Sequence, residues 1–327
     1  MVLTADQIFQ RVQDAPLRGH GDYFELSFRA MGSPCAITFA AKTHAAAGEF
    51  KEHALRWLSE FEAKYSRFID SSLISRINAA AGREWVEVDA EAESLFSLCD
   101  WFHWTTDGVF DPTSGPFVAL WDYHRQPAVV PSESEVAAAR SLVGWGRVQR
   151  RAGGIFLPQQ GMMLDIGGIG KEYAVDRVMN LALEANIKNV LVNFGNDLRV
   201  HGEPPEKGPW KVGLEHPDSP GRCWGGVALN EGAVCSSGNY LRFMDVGGKR
   251  YGHIIDPRTG NPVNNGCRST TVIAPTCTEA GILATSSFVL GADAGMALLA
   301  RQFSADGCIW TEGGLFETRR FRSYVIK

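Results

Sequence analysis

Residues 162–176 read MMLDIGGIGKEYAVD, and the choice of fold turns on this stretch. Met162 to Ile166 has the apolar run of a buried strand, and a helix is predicted from about Ile169 to Ala185. A glycine turn between a strand and a helix invites comparison with two phosphate-binding motifs. A Walker loop requires glycine where Asp165 stands and serine or threonine where Glu172 stands. The dinucleotide-binding fingerprint requires glycine where Tyr173 stands. Neither pattern is present, so the stretch gives no support to a doubly wound parallel sheet.

The flanking sequence points the same way. Phe24, Leu26 and Phe28 alternate, as does Cys35 to Phe39, which predicts two strands around a Met31-Gly32 turn. Val190 to Phe194 and Leu198 to Val200 flank an Asn-Asp turn. Gly247-Gly248 joins Arg242–Asp245 to Lys249–Ile255 in a hairpin. Helices are predicted over 43–65, 71–81, 90–106, 276–290 and 292–301, and others open at the boxes Thr4-x-x-Gln7 and Ser132-x-x-Glu135. Strands and helices mix without strict alternation, so the expectation is α+β, with mixed, largely antiparallel sheets packed with helices. Residues 1–23 read as an N-terminal helical extension and 24–327 as a single domain, with two intimately joined subdomains as the variant.

Composition narrows the function. A 327-residue chain with 45 % hydrophobic and 21 % charged residues has the profile of a globular protein with a sizeable core. A net charge of -5 and no long Lys/Arg run argue against a nucleic-acid partner. No apolar stretch approaches the roughly 20 residues of a membrane span. The seven cysteines form no C-x-x-C pair, so a zinc site is not expected and reduced thiols are. With no signal peptide at the start, the chain is expected in the cytoplasm, or exported if a leader preceded it.

Four segments carry chemistry-bearing residues: Thr106 to Pro116, Leu164 to Asp176, Gly252 to Gly260 and Cys277 to Thr285. The first sets Phe110, Asp111 and Pro112 on a tight path. The second ends a strand in Asp165 and opens a helix near Lys171. The third carries His253, a side chain suited to proton transfer near neutrality. The fourth is a helix able to present hydroxyl and carboxylate oxygens on one face. Taken singly, each has an ordinary structural reading. Cys235-Ser236-Ser237-Gly238 lacks the G-x-S-x-G elbow of a serine nucleophile.

In this order the segments resemble the ApbE family, the FAD:protein FMN transferases. The likeness includes Met31-Gly32-Ser33, S-x-I-S-R-x-N at Ser72 to Asn78, G-x-F-D-P-T-x-G-P at Gly108 to Pro116, and L-D-x-G-G-x-x-K-x-Y-A-x-D at Leu164 to Asp176. It continues with V-N-x-G-x-D-x-R at Val192 to Arg199, S-G-x-Y at Ser237 to Tyr240, H-I-I-D-P-x-T-G at His253 to Gly260 and V-L-G at Val289 to Gly291. The match is collinear from about residue 24 to 300. It implies an ApbE-like, T-fold-related architecture that binds FAD and Mg2+ and acts on an acceptor protein with a Ser or Thr to be flavinylated.

By the same resemblance, Met31 and Phe68 contact the flavin, Phe110, Asp111 and Pro112 line the pocket, and Asp165 and Lys171 reach the nucleotide. His253 and Ile254 lie beside the pyrophosphate, with His253 the catalytic base. The Gly168 carbonyl and Thr285 hold the metal. The chemistry accounts for these types: a hydroxyl nucleophile needs its proton removed, and a pyrophosphate needs its charge neutralised. Two alternatives stand beside transfer, namely FAD binding without catalysis and a Mg-dependent FAD pyrophosphatase giving FMN and AMP. The chain departs from the family at Gly281, where Asp is usual as a metal ligand, and at Glu172, where a small residue is common. An Asp restored at 281 is expected to tighten the metal.

Overall fold

The computed structural model describes residues 3–326 except His124 and Leu241. Helix α1 (Ala5–Val12) opens on the Thr4–Gln7 capping box. Strands β1 (Leu17–His20), β2 (Tyr23–Ala30) and β3 (Ser33–Ala40) form a meander whose second turn is Met31-Gly32. Thr43, Ser72 and Asp89 cap α2 (His44–Tyr65), α3 (Leu73–Ala80) and α4 (Ala90–Thr105), each side chain accepting a backbone N–H of the first turn. Short β4 (Val86–Glu87) precedes α4. Helices α5 (Gly115–Leu120) and α6 (Glu133–Ser141) follow, and then β5 (Gln149–Arg151) and β6 (Gly154–Phe156), which pair with β4 in a small sheet.

Helix α7 (Gly170–Glu184) leads to β7 (Val190–Phe194) and β8 (Asp197–His201), joined by a two-residue Gly195-Asn196 turn. Next come β9 (Trp210–His216), β10 (Ser219–Leu229), β11 (Glu231–Gly238), and the hairpin of β12 (Phe243–Val246) and β13 (Lys249–Gly252). A two-residue pair, β14 (Ile255–Asp256) and β15 (Asn261–Pro262), precedes β16 (Cys267–Ala274). Helices α8 (Cys277–Leu290) and α9 (Ala292–Ala300) lie before β17 (Asp306–Thr311), β18 (Gly314–Glu317) and β19 (Val325–Ile326).

The main sheet has nine strands in the order β1-β2-β3-β7-β8-β11-β16-β17-β18, with every neighbour antiparallel. Alternation along its strands assigns the two faces. Val190, Val192, Phe194, Val272 and Ala274 point into the large core beneath α2, α7 and α8. Leu198, Val200 and Ile273 point the other way, onto Trp210, Leu214 and Val227 of the β19-β10-β9 sheet. Helices cover one face and a small sheet the other, which is the α+β arrangement expected. The region 1–23 also holds β1, one of the two outer strands of the main sheet. Among the described residues no helix is long and apolar enough to cross a membrane.

The strand expected over Met162–Ile166 does not form; a single parallel bridge, Ser114 to Met163, is what remains of it. Its backbone is satisfied otherwise. Asn78 grips both polar groups of Leu164, accepting its N–H at 2.7 Å and donating to its carbonyl at 3.0 Å, and Asp165 N–H donates to the Pro112 carbonyl. A buried apolar run thus travels as a tethered loop, because side chains supply the partners that a ladder would.

Candidate functional site

Register brings several motifs to one end of the main sheet. Cys35 pairs with Phe194 and Val234 with Leu198, so the 31–33 turn, the 195–196 turn and the far end of β11 emerge together. The Gly195 N–H donates to the Pro34 carbonyl at 2.8 Å, and Met31 N–H donates to Glu62 Oε2 at 2.9 Å. Lys171, in the first turn of α7, forms an ion pair with Asp197 of β8 and lies 3.7 Å from Glu172 Oε1. A second pair runs alongside: Arg199 of β8 donates to Asp176 of α7 at 2.9 Å. The two motif strings at 164–176 and 192–199 are therefore locked to each other by two ion pairs.

Asp176 also fixes α8. Its carboxylate accepts the N–H groups of Cys277 and Thr278, both at 2.8 Å, and the Thr278 hydroxyl at 2.7 Å. A carboxylate there satisfies orphan donors and meets the positive end of the helix dipole. Cys277, Gly281 and Thr285 recur at four-residue steps and share a stripe of α8. The facing stripe on β11 is Cys235 and Ser237: the two sulfurs are 3.4 Å apart, and the Ser237 and Thr285 hydroxyls hydrogen bond at 2.8 Å. Burial pushes both thiols up, so neither is a soft thiolate ligand.

Between these two contacts, at Gly281, the space is filled from α7. A Cβ on Gly281 would lie 2.5 Å from Glu172 Cγ and 3.2 Å from its Oε1. Glu172 is 8 % exposed, and its Oε2 is buried with no hydrogen-bond partner. An orphaned buried acceptor costs about 1–3 kcal/mol, and more when charged. An Asp at 281, expected to tighten a metal, would have to displace Glu172 from where it stands, because its Cβ would meet Glu172 Cγ.

The other predicted residues occupy the neighbouring loops. Phe68 is 74 % exposed, with the Arg67 guanidinium 4.4 Å from its ring centre. Arg67 Nε lies 3.2 Å from Asp165 Oδ2, and Asp165 Oδ1 accepts the Gly167 N–H. Phe110 lies against Gly168, 3.9 Å from the place of its missing Cβ. Among the described residues, nothing donates a hydrogen bond to the Gly168 carbonyl. The Asp111 side chain is 6 % exposed and holds Thr113 N–H and hydroxyl on one oxygen and the Trp145 N–H on the other. It ties the loop together from within. Pro112 is likewise buried, its carbonyl holding Asp165.

Ile254 is buried with Val109, Phe288 and Val289, so its side chain anchors the loop. Its N–H donates to Asn239 Oδ1, and Asn239 is two residues beyond Ser237. That anchoring holds His253. The His253 Nδ1 faces the Arg242 carbonyl at 3.2 Å, which assigns the proton to Nδ1 and leaves the Nε2 lone pair free. Burial, then the Arg242 charge, lower its pKa to about 4, so the ring is neutral near pH 7. Sequence reasoning missed Arg67, Asn239, Asp176 and Asp197 as positioning residues; the last two stand at fixed positions of the quoted motifs, whereas Asn239 fills the open position of S-G-x-Y and Arg67 carried no signal.

Among the described residues, no three His, Cys, Asp or Glu side chains converge as a metal cluster. The orphaned Glu172 oxygen, the Gly168 carbonyl and the Thr285 hydroxyl are all oxygens. That set suits a hard cation such as Mg2+, which completes its shell with water and substrate phosphate.

The ApbE family profile matches residues 31–309. The chain is 31 % identical over 300 residues to the FAD:protein FMN transferase of Treponema pallidum, covering 87 % of this chain and 80 % of that protein. It is 30 % identical over 278 residues to the Vibrio cholerae protein of the same description, covering 83 % of each. The crystal structure of the ApbE protein from Thermotoga maritima superposes with a TM-score of 0.85 at 31 % identity, covering 93 % of this chain and 100 % of that one. The flavin transferase ApbE from Vibrio cholerae gives a TM-score of 0.83 at 27 % identity, covering 94 % and 100 %.

Proposed function

This chain belongs to the ApbE family, and from that premise we propose that it is an FAD:protein FMN transferase assisted by Mg2+. The observation that carries the reading is the match to curated FAD:protein FMN transferases over at least four-fifths of their length, with the motif residues gathered at one end of the sheet. In the reaction, a Ser or Thr hydroxyl of the acceptor attacks the FMN phosphorus of FAD. A phosphoester bond forms, the anhydride bond breaks, and AMP leaves.

The chain's residues divide the work. Met31 and exposed Phe68 offer the flavin an apolar and a π surface. Asp165 and Arg67 shape the nucleotide end. His253 takes the hydroxyl proton on Nε2, its ring held by the Nδ1–H bond to Arg242. A pKa of about 4 makes the free imidazole a weak base, but the incoming pyrophosphate places negative charge nearby, which raises it. The Gly168 carbonyl and Thr285 hydroxyl would hold Mg2+, which when bound offsets charge repulsion on the pyrophosphate, about 4 kcal/mol for two charges 4 Å apart at an effective dielectric of 20.

The test is incubation with FAD, Mg2+ and a candidate acceptor protein, followed by denaturing gel fluorescence and AMP assay. Flavin fluorescence that stays with the acceptor, matched by AMP, supports transfer. Free FMN and AMP with no protein-bound flavin would identify a pyrophosphatase, and FAD held without turnover a binding protein.

A further inference from the structure

We infer that Glu172 of α7 supplies the carboxylate ligand of the divalent cation, entering the site through the space left by Gly281 of α8; the inference rests on the functional reading above. Glu172 is a buried carboxylate whose Oε2 has no hydrogen-bond donor, although Lys171 is the adjacent residue. Lys171 is drawn instead to Asp197, and its nearest approach to Glu172 is 3.7 Å, on Oε1. The fold holds Glu172 in place without satisfying it. Such an oxygen is what a cation site contains before its cation.

The surrounding donors fit the same ion. Glu172 lies against Gly281, and one helical turn further along that stripe is Thr285, whose hydroxyl is held by Ser237 at 2.8 Å. One turn before Glu172 is Gly168, with a carbonyl that accepts no hydrogen bond among the described residues. A carboxylate, a hydroxyl and a carbonyl from α7, α8 and the turn before α7 make a hard-oxygen set with a single formal charge. Such a set is too sparse to bind Mg2+ strongly alone. The charge balance favours joint binding: Glu172, Asp197 and Lys171 leave one negative charge, which would repel a bare pyrophosphate.

Gly281 is the other half of the arrangement. Its missing Cβ is what admits Glu172 Cγ, since an added Cβ would sit 2.5 Å from it. The two positions are exclusive: a carboxylate is carried by residue 172 or by residue 281. Moving it from one helix to the other is the direct test.

The experiment measures Mn2+ binding by electron paramagnetic resonance on FAD-saturated protein, with FAD affinity followed separately by flavin fluorescence. Wild type is expected to bind Mn2+ with FAD present and at least 10-fold more weakly without it. Glu172→Gln keeps the side-chain shape and should weaken Mn2+ by on the order of 10- to 100-fold, with FAD affinity in the absence of metal within about 3-fold. Gly281→Asp alone should not tighten Mn2+, whereas Glu172→Gly combined with Gly281→Asp should recover most of the wild-type affinity. Glu172→Gln with FAD and Mn2+ affinities both unchanged would overturn the assignment while leaving the transferase reading intact. A wild type that binds FAD and takes up no Mn2+ would overturn both.

Discussion

Replacing Asp176 by Ala should destabilise the protein by about 3–5 kcal/mol, the usual cost of removing one partner of a buried ion pair. The carboxylate accepts four hydrogen bonds, from the Cys277 and Thr278 N–H groups, the Thr278 hydroxyl and Arg199, and the residue is 8 % exposed. Four orphaned donors at about 1–3 kcal/mol each give a larger figure, but water entering the gap satisfies some of them. Thr276 continues to cap α8 through the Glu279 N–H, which further limits the loss. In urea the midpoint should fall with the slope unchanged, and Tm should drop by on the order of 5–10 °C. Asp176→Asn keeps one acceptor oxygen and should lose about 1–3 kcal/mol. Adding Arg199→Met to Asp176→Ala should recover part of the loss, because it removes the unpaired guanidinium. An Asp176→Ala protein within 1 kcal/mol of wild type would refute the view that this carboxylate joins α7, α8 and β8.

Other outcomes follow from the same geometry. His253→Ala should bind FAD near normally and lose about 10²–10⁴-fold in turnover; a stable, fully active variant would remove His253 from the chemistry. Because the free imidazole has its pKa lowered to about 4, the acid limb of kcat/KM assigned to it should lie near pH 4. The limb in kcat should lie higher, since bound pyrophosphate favours the imidazolium; coincident limbs near pH 6.5 would contradict the burial of this ring. Gly281→Ala, whose Cβ meets Glu172 Cγ at 2.5 Å, should cost about 1–3 kcal/mol in thermal or urea unfolding. Fluorescence titration should show tighter binding of FAD than of FMN, because the proposed contacts span both ends of the dinucleotide; equal affinity would remove the nucleotide end.

Much of the architecture was legible because its signals are local. Thr4, Thr43, Ser72, Asp89, Ser132 and Thr276 all cap helices through their side chains, and each announces itself within four residues. The strand expected at Met162–Ile166 failed because the decisive partner, Asn78, lies 86 residues away. The motifs come together at one end of the sheet, but their spelling does not say what each member does. Asp111, expected to line the pocket, has a carboxylate that ties its own loop together, because exposure of a turn says nothing about which way a side chain faces. The pairing of Lys171 with Asp197 and Asp176 with Arg199 is invisible in one dimension. So is the exchange between Gly281 and Glu172, which looked like two unrelated departures until their side chains were placed in one space.

The β3–β7 ladder of the main sheet has a consequence for how the protein is made. Residues 35–39 of β3 pair with residues 190–194 of β7, so β3 leaves the ribosome roughly 150 residues before its partner exists. At about 5–20 residues per second, that is a wait on the order of ten seconds or more. Throughout it β3 presents an open hydrogen-bonding edge, and the meander of β1, β2 and β3 is a ready template for another chain. Closing a loop of this length costs only about 2 kcal/mol more than closing one of 20 residues, so the danger is kinetic. Nascent chains stalled before residue 190 should be the ones that aggregate or recruit chaperones, and release past that point should end their exposure.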